Sequence, residues 1–339
     1  MNDFLITNIV AGNVTLCPDT TNIGCCEIRS SQSDTPQEKE LLKKSLKSNN
    51  ESVNLQISMR ISTIVSADTR EEAIEFAINE FVTALDVWGM YQPIPSQNFY
   101  LCRAGFSLDL CDNSYCEHTH PQDINGLMFR RSTSAITPIT FAQIASVKND
   151  ELGLRFKRFC HWFHNANMEK NPQIKLIFLW FALEAMVRKP DRNSGRGHSD
   201  NIIPYILSTL GMQRGNATDG DYFCALSTID GYSCTRNAIT TALNAIIEIR
   251  NSSVHNGFSP KDISPDHIKN YLPLLNIIIW QIKCEYEYLT SGDILKDFTV
   301  DDFRKHLFEN LVPFDCYRQW FLSILYPIAK KLPSFTPPA

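Results

Sequence analysis

The stretch VNLQISMRISTIVSADTREEAIEFAINEFVTALDVW, residues 53–88, sets the fold class because its periodicity changes in the middle. From Val53 to Val65 the odd positions are Val53, Leu55, Ile57, Met59, Ile61, Thr63 and Val65, while most even positions are polar (Asn54, Gln56, Ser58, Arg60, Ser62). A period of two predicts a half-buried strand over 53–65. Asp68 then offers a helix cap with Glu71 three residues on, and Ile74, Ala77, Ile78, Phe81, Leu85 and Trp88 follow at spacings of three and four. A strand that feeds an amphipathic helix is the unit of a mixed α+β domain.

Working outward, strand-like runs at 4–16, 99–110 and 127–140 extend the same pattern over the first 148 residues. Residues 29–52 are polar and charged, although Thr35, Pro36 and Glu38 make a helix start, so a surface excursion with one short helix is expected there. From about Asp150 helical spacing takes over, at 151–167, 173–189, roughly 199–211, 236–254 and 265–290. The 173–189 segment is apolar nearly all round, which predicts a central buried helix, and Lys175 and Glu184 interrupt it too soon for a membrane span. The expected organisation is an N-terminal α+β domain (1–148), a helical bundle (149–290) and a C-terminal helical extension and tail (291–339).

Composition excludes several classes. In 339 residues, 43% are hydrophobic and 20% charged, as in a folded globular protein, and a net charge of −5 argues against a whole-surface nucleic-acid binder. Splitting the charge at 149/150 leaves 11 basic and 17 acidic residues before the break and 21 and 20 after it. Eleven scattered cysteines do not suggest a disulfide framework, and the N-terminus lacks a basic region ahead of an apolar stretch; a cytoplasmic protein is expected. The chain has no G-x-x-x-x-G-K-[ST], H-E-x-x-H or G-x-S-x-G motif, which removes the main support for P-loop, zincin and α/β-hydrolase chemistry.

The segment AIIEIRNSSVHNGF, 245–258, presents Arg250, Asn251 and His255 near the end of an apolar helix. A guanidinium pairs with a phosphate, and imidazole exchanges protons near neutral pH; together they suffice for metal-independent phosphodiester cleavage when RNA supplies its 2′-OH as nucleophile. Arg followed by His five to seven positions later occurs four times, at Arg155/His161, Arg158/His164, Arg192/His198 and Arg250/His255, where roughly one match is expected by chance. Only the last combines a strong apolar helix, an Asn after the Arg and a Gly stop. In the alternative reading, Arg250 pairs with Glu184 or Glu248 and His255 caps the helix. Arg188, Lys189, Arg192 and Arg196 form a basic loop that is either solvated or an RNA contact.

With FALEAMV at 181–187 and IRNSSVHNG at 249–257, the region 150–290 resembles the HEPN superfamily of helical-bundle ribonucleases, most nearly its Apea-like branch. The resemblance implies that Arg250 polarises the scissile phosphate, His255 transfers protons, and Asn251 positions the phosphate or His255. Glu184 is expected as a support for Arg250. It further implies a cofactor-free endoribonuclease of prokaryotic antiviral defence or stress response, leaving 2′,3′-cyclic phosphate and 5′-hydroxyl ends, with an inhibitory or activating partner. Five residues of helix rotate about 500°, leaving Arg250 and His255 roughly 140° apart, so either the helix frays or two copies pair as a homodimer. The alternative from the same resemblance is a non-catalytic dimerisation module that binds a protein or nucleic acid. Finally, Cys102, Cys111, Cys116, His118 and His120 lie within nineteen residues and raise a zinc site, against the plainer reading of a hairpin tip with Cys102 buried and the histidines exposed.

Overall fold

The structure, a computed structural model, describes residues 1–12, 20–90, 97–119, 127–129, 147–188, 202–212, 220–256, 264–293, 295–309 and 313–336. The fold is mixed α+β, and the chain divides into two compact units, Met1–Lys148 and Asn149–Ala339.

The first unit is an antiparallel sheet with a helix on each face. Its strands are β1 (Asn2–Gly12), β2 (Thr21–Ile23), β3 (Cys26–Ser30), β4 (Met59–Ala67), β5 (Gln97–Asp109), β6 (Tyr115–Thr119) and β7 (Leu127–Phe129), in the order β2-β3-β4-β1-β5-β6, with β7 also pairing β5. Helix α1 (Pro36–Ser48) starts with a capping box in which Thr35 and Glu38 satisfy each other's backbone N–H. It does not stand off as a surface excursion: Leu42 and Leu46 are buried against Ile9, Ala11, Cys102, Ala104 and Phe106. Helix α2 (Arg70–Met90) packs along β4, and its first residue, Arg70, lies over the Phe4 ring and donates to Ser107, both of the opposite sheet face.

Two features of the 53–65 expectation are corrected. The strand begins at Met59, because Asn54 closes a turn: its side chain accepts from Gln56 N–H at 3.0 Å and its carbonyl from Ile57 and Ser58. In addition, Arg60 is fully buried rather than solvent-facing. Burial pulls its pKa down, and Asp34 offsets this with hydrogen bonds of 3.0 and 2.5 Å. The other Asp34 oxygen accepts from Arg29 at 2.8 Å, and Arg29 reaches Glu38 at 3.1 Å, so two guanidiniums and two carboxylates neutralise one another between sheet and α1.

The second unit is helical: α3 (Glu151–Met168), α4 (Pro172–Val187), α5 (Ile203–Thr209), α6 (Gly220–Ser227), α7 (Tyr232–Asn256), α8 (Pro265–Gly292), α9 (Val300–Glu309) and α10 (Phe314–Trp320), continuing through a π-helical turn at Phe321–Leu325 into α11 (Tyr326–Ala329). The three-residue link between α3 and α4 makes them an antiparallel pair. Leu176, Ile177, Leu179, Trp180, Ala182, Leu183, Met186 and Val187 of α4 are all buried, and α4 packs against α3 and α8 and touches α7. Asp150 caps α3 through Gly153 N–H and accepts from Phe298 N–H at 2.8 Å, which ties the stretch after 291 into this unit.

Candidate functional site

The apolar face of α7, with Ala238, Ile239, Ala242, Leu243 and Ile246 buried, fixes the rotation of its last two turns. Buried Ser253 there accepts from Gln173 of α4 at 3.3 Å. This setting brings Arg250 to Glu184. Arg250 Nη2 donates to Glu184 Oε2 at 3.0 Å, and Arg250 Nη1 donates to the Asn251 side-chain oxygen at 2.9 Å. The guanidinium carbon lies 5.6 Å from the Phe181 ring centroid. Glu184 Oε1 accepts from Trp180 Nε1 at 3.2 Å, and its Oε2 is 3.6 Å from Arg188 Nη1. Side-chain exposures of 18% for Arg250 and 16% for Glu184 place the pair mostly out of water, where a lone charge would be costly. Arg250 Nε is buried with no hydrogen-bond partner among the described residues.

Asn251 is thus engaged with Arg250. His255 lies within α7, which continues without a break to Asn256; its side chain lies outside the described residues. Positions 250 and 255 are therefore about 140° apart on one continuous helix, and no fraying between them brings them together.

A third cation was not foreseen. Arg155 of α3 donates to the carbonyls of Ala185 and Arg188 at 3.2 and 2.8 Å, satisfying the C-terminal end of α4, and pairs with Glu151 at 3.4 Å. Its only sequence signal was an Arg/His spacing shared with three other pairs. Of the expected basic loop, Arg188 is the residue that ends α4, half-exposed beside Glu184, while Lys189, Arg192 and Arg196 lie outside the described residues. Lys175, one of the two charged residues inside α4, is half-buried, and burial pulls its pKa below the usual lysine value.

In the Cys102–His120 segment Cys102 is buried as expected, and the expectation of exposed histidines is corrected at His118. Cys111 and Cys116 are exposed, whereas His118 is buried and its Nε2 is 2.9 Å from Asn8 Oδ1. Cys102 is fully buried, and burial raises its thiol pKa far above the ordinary value. Register explains the separation: His118 pairs with Gly105 of β5 and Gly105 with Asn8 of β1, so the imidazole reaches across a residue with no side chain. Among the described residues no three His, Cys, Asp or Glu side chains are grouped to hold a metal ion; His120 lies outside them.

Compared with protein-family models, curated proteins and solved structures, the chain matches none of them. Among the described residues no helix is long and apolar enough to cross a membrane.

Proposed function

We propose that the chain is a metal-independent endoribonuclease of the HEPN type, acting in the cytoplasm in antiviral defence or stress response, with the helical unit as its nuclease bundle. One observation carries most weight. Arg250 is held by Glu184 and Asn251, five residues before His255 on the same helix, with its buried Nε–H unbonded. In the proposed reaction the 2′-oxygen of RNA attacks phosphorus and the P–O5′ bond breaks. His255 takes the 2′-OH proton or returns one to the departing 5′-oxygen, and the opposite transfer falls to solvent or to His255 of a second copy. Arg250 stabilises the added charge on the phosphoryl oxygens. The products are a 2′,3′-cyclic phosphate and a 5′-hydroxyl. A homodimer brings two such helices to one cleft, and the N-terminal unit restrains the nuclease or receives a trigger.

The Arg250–Glu184 pair also favours a second reading, because a neutralised arginine can serve packing alone. In that case the chain is a non-catalytic dimerisation and interaction protein. Incubating the full chain with mixed cellular RNA in EDTA, beside His255→Ala and Arg250→Ala variants of equal folding, separates the two. Cleavage by wild type alone, leaving cyclic-phosphate ends, supports the nuclease; equal behaviour of all three overturns it.

A further inference from the structure

Helix α4 is buried on all sides except one stripe, and that stripe carries Lys175, Phe178, Phe181, Glu184 and Arg188 at spacings of three and four. Trp162 of α3 lies over its middle, with ring centroids 5.5 Å from Phe178 and 5.0 Å from Phe181. All three rings are only partly buried. At one end Arg250 sits over Phe181; at the other, Lys175 is one turn from Phe178.

Charge identifies what this surface fits. Around it stand four cations, Lys175, Arg155, Arg188 and Arg250, against two carboxylates, Glu151 and Glu184. The Lys175 ammonium has no partner among the described residues although it is half-buried, and Arg250 Nε is an unused donor. Packing alone accounts for half-buried rings, but not for a half-buried ammonium left without an anion at the Lys175 end, nor for Arg250 and Arg188 sharing the single Glu184 carboxylate at the other. A run of aromatic rings with a surplus of positive charge complements a strand whose bases are free to stack and whose phosphates lie one nucleotide apart.

We propose that Trp162, Phe178 and Phe181 form a stacking platform for unpaired bases of single-stranded RNA, with Lys175 and Arg250 taking the flanking phosphates. The platform rests on the ribonuclease reading for the identity of its ligand, and it sets the substrate class of that site: unpaired rather than duplex RNA. Bases in a duplex are already stacked and present no free face to the rings.

The test uses a fluorescent single-stranded 2′-O-methyl RNA, which lacks the nucleophile and so reports binding without cleavage. The full chain should bind it at low salt at least tenfold more tightly than the matched duplex, with quenching of tryptophan emission. Trp162→Phe keeps a ring in place and should bind nearly as wild type while losing most of the quench. Phe178→Leu, close in volume, should weaken binding about tenfold, and Lys175→Gln should lower the slope of log affinity against log salt by about one. Unchanged quenching in Trp162→Phe, wild-type affinity in Phe178→Leu, or no binding at all overturns the platform. Cleavage of unmodified RNA is scored separately: cleavage with affinity indifferent to Phe178 and a quench indifferent to Trp162 removes the platform and leaves the nuclease, whereas binding without cleavage under any condition removes the nuclease and leaves a binding surface.

Discussion

Glu184 does two opposed things at once. Its carboxylate makes it tolerable to bury the Arg250 guanidinium, and it competes with any phosphate for the same guanidinium. Glu184→Gln retains an acceptor for Trp180 Nε1 but removes the charge that offsets Arg250 and Arg188. The variant should lose about 2 kcal/mol of stability in urea denaturation and, at the same temperature well below its melting point, bind single-stranded RNA more tightly than wild type. A stability loss with weaker binding would mean that Glu184 positions Arg250 rather than restraining it. Gly105 is the other position where one atom decides. A Cβ there would stand 2.5 Å from both His118 Nε2 and the Thr7 carbonyl oxygen, and 2.9 Å from Asn8 Cγ. The imidazole can move but the β1 backbone cannot, so Gly105→Ala should cost about 2–3 kcal/mol, read as a lower urea midpoint with an unchanged slope.

At the scale of elements, helix starts were the most legible feature and strand edges the least. The Thr35–Glu38 box was visible as residues; that α1 packs on the sheet was not, because its polar composition hides the Leu42/Leu46 pair and Ser45, whose hydroxyl links the Gly105 N–H and the His118 carbonyl at 3.1 and 2.8 Å. The alternation from Val53 was misleading over its first six residues, since a local Asn54 turn outweighs a period of two before any partner strand is present. Helix α4 was legible as buried, yet its aromatic stripe was not, because a helix apolar all round gives no sign of which side its neighbours leave open. Arg250 could be found from its motif, whereas Arg155 reaches the site only through tertiary packing. A similar cap supplies a pH test. Thr299 and Asp302 satisfy each other at the start of α9, and the hydrogen bond from Thr299 N–H holds the Asp302 carboxyl below its usual pKa. A depressed carboxyl stabilises the fold above the ordinary aspartate range and loses that contribution as pH falls through the folded-state value. Asp302→Asn should therefore show a smaller loss of melting temperature than wild type on acidification; an identical acid profile would remove the cap from the account.

For the molecule as a whole, the continuous helix through residue 255 makes oligomeric state a question of mechanism. If Arg250 and His255 of one copy cannot meet on one face, a nuclease site must take its arginine from one subunit and its histidine from another, or work with each alone. Mixing inactive variants distinguishes these cases. When Arg250→Ala and His255→Ala chains are unfolded together at equal concentration and refolded, half of the dimers are mixed, and each mixed dimer with composite sites holds one intact site and one doubly disabled site. Composite sites thus predict recovery of about one quarter of wild-type cleavage from two inactive proteins, while sites built within one subunit predict none. The same mixture should elute at twice the 38.6 kDa chain mass by light scattering. A monomeric mass with full wild-type cleavage would sink the dimer. It would also require the end of α7 to unwind when RNA binds, because only then can one chain bring both groups to the same phosphate.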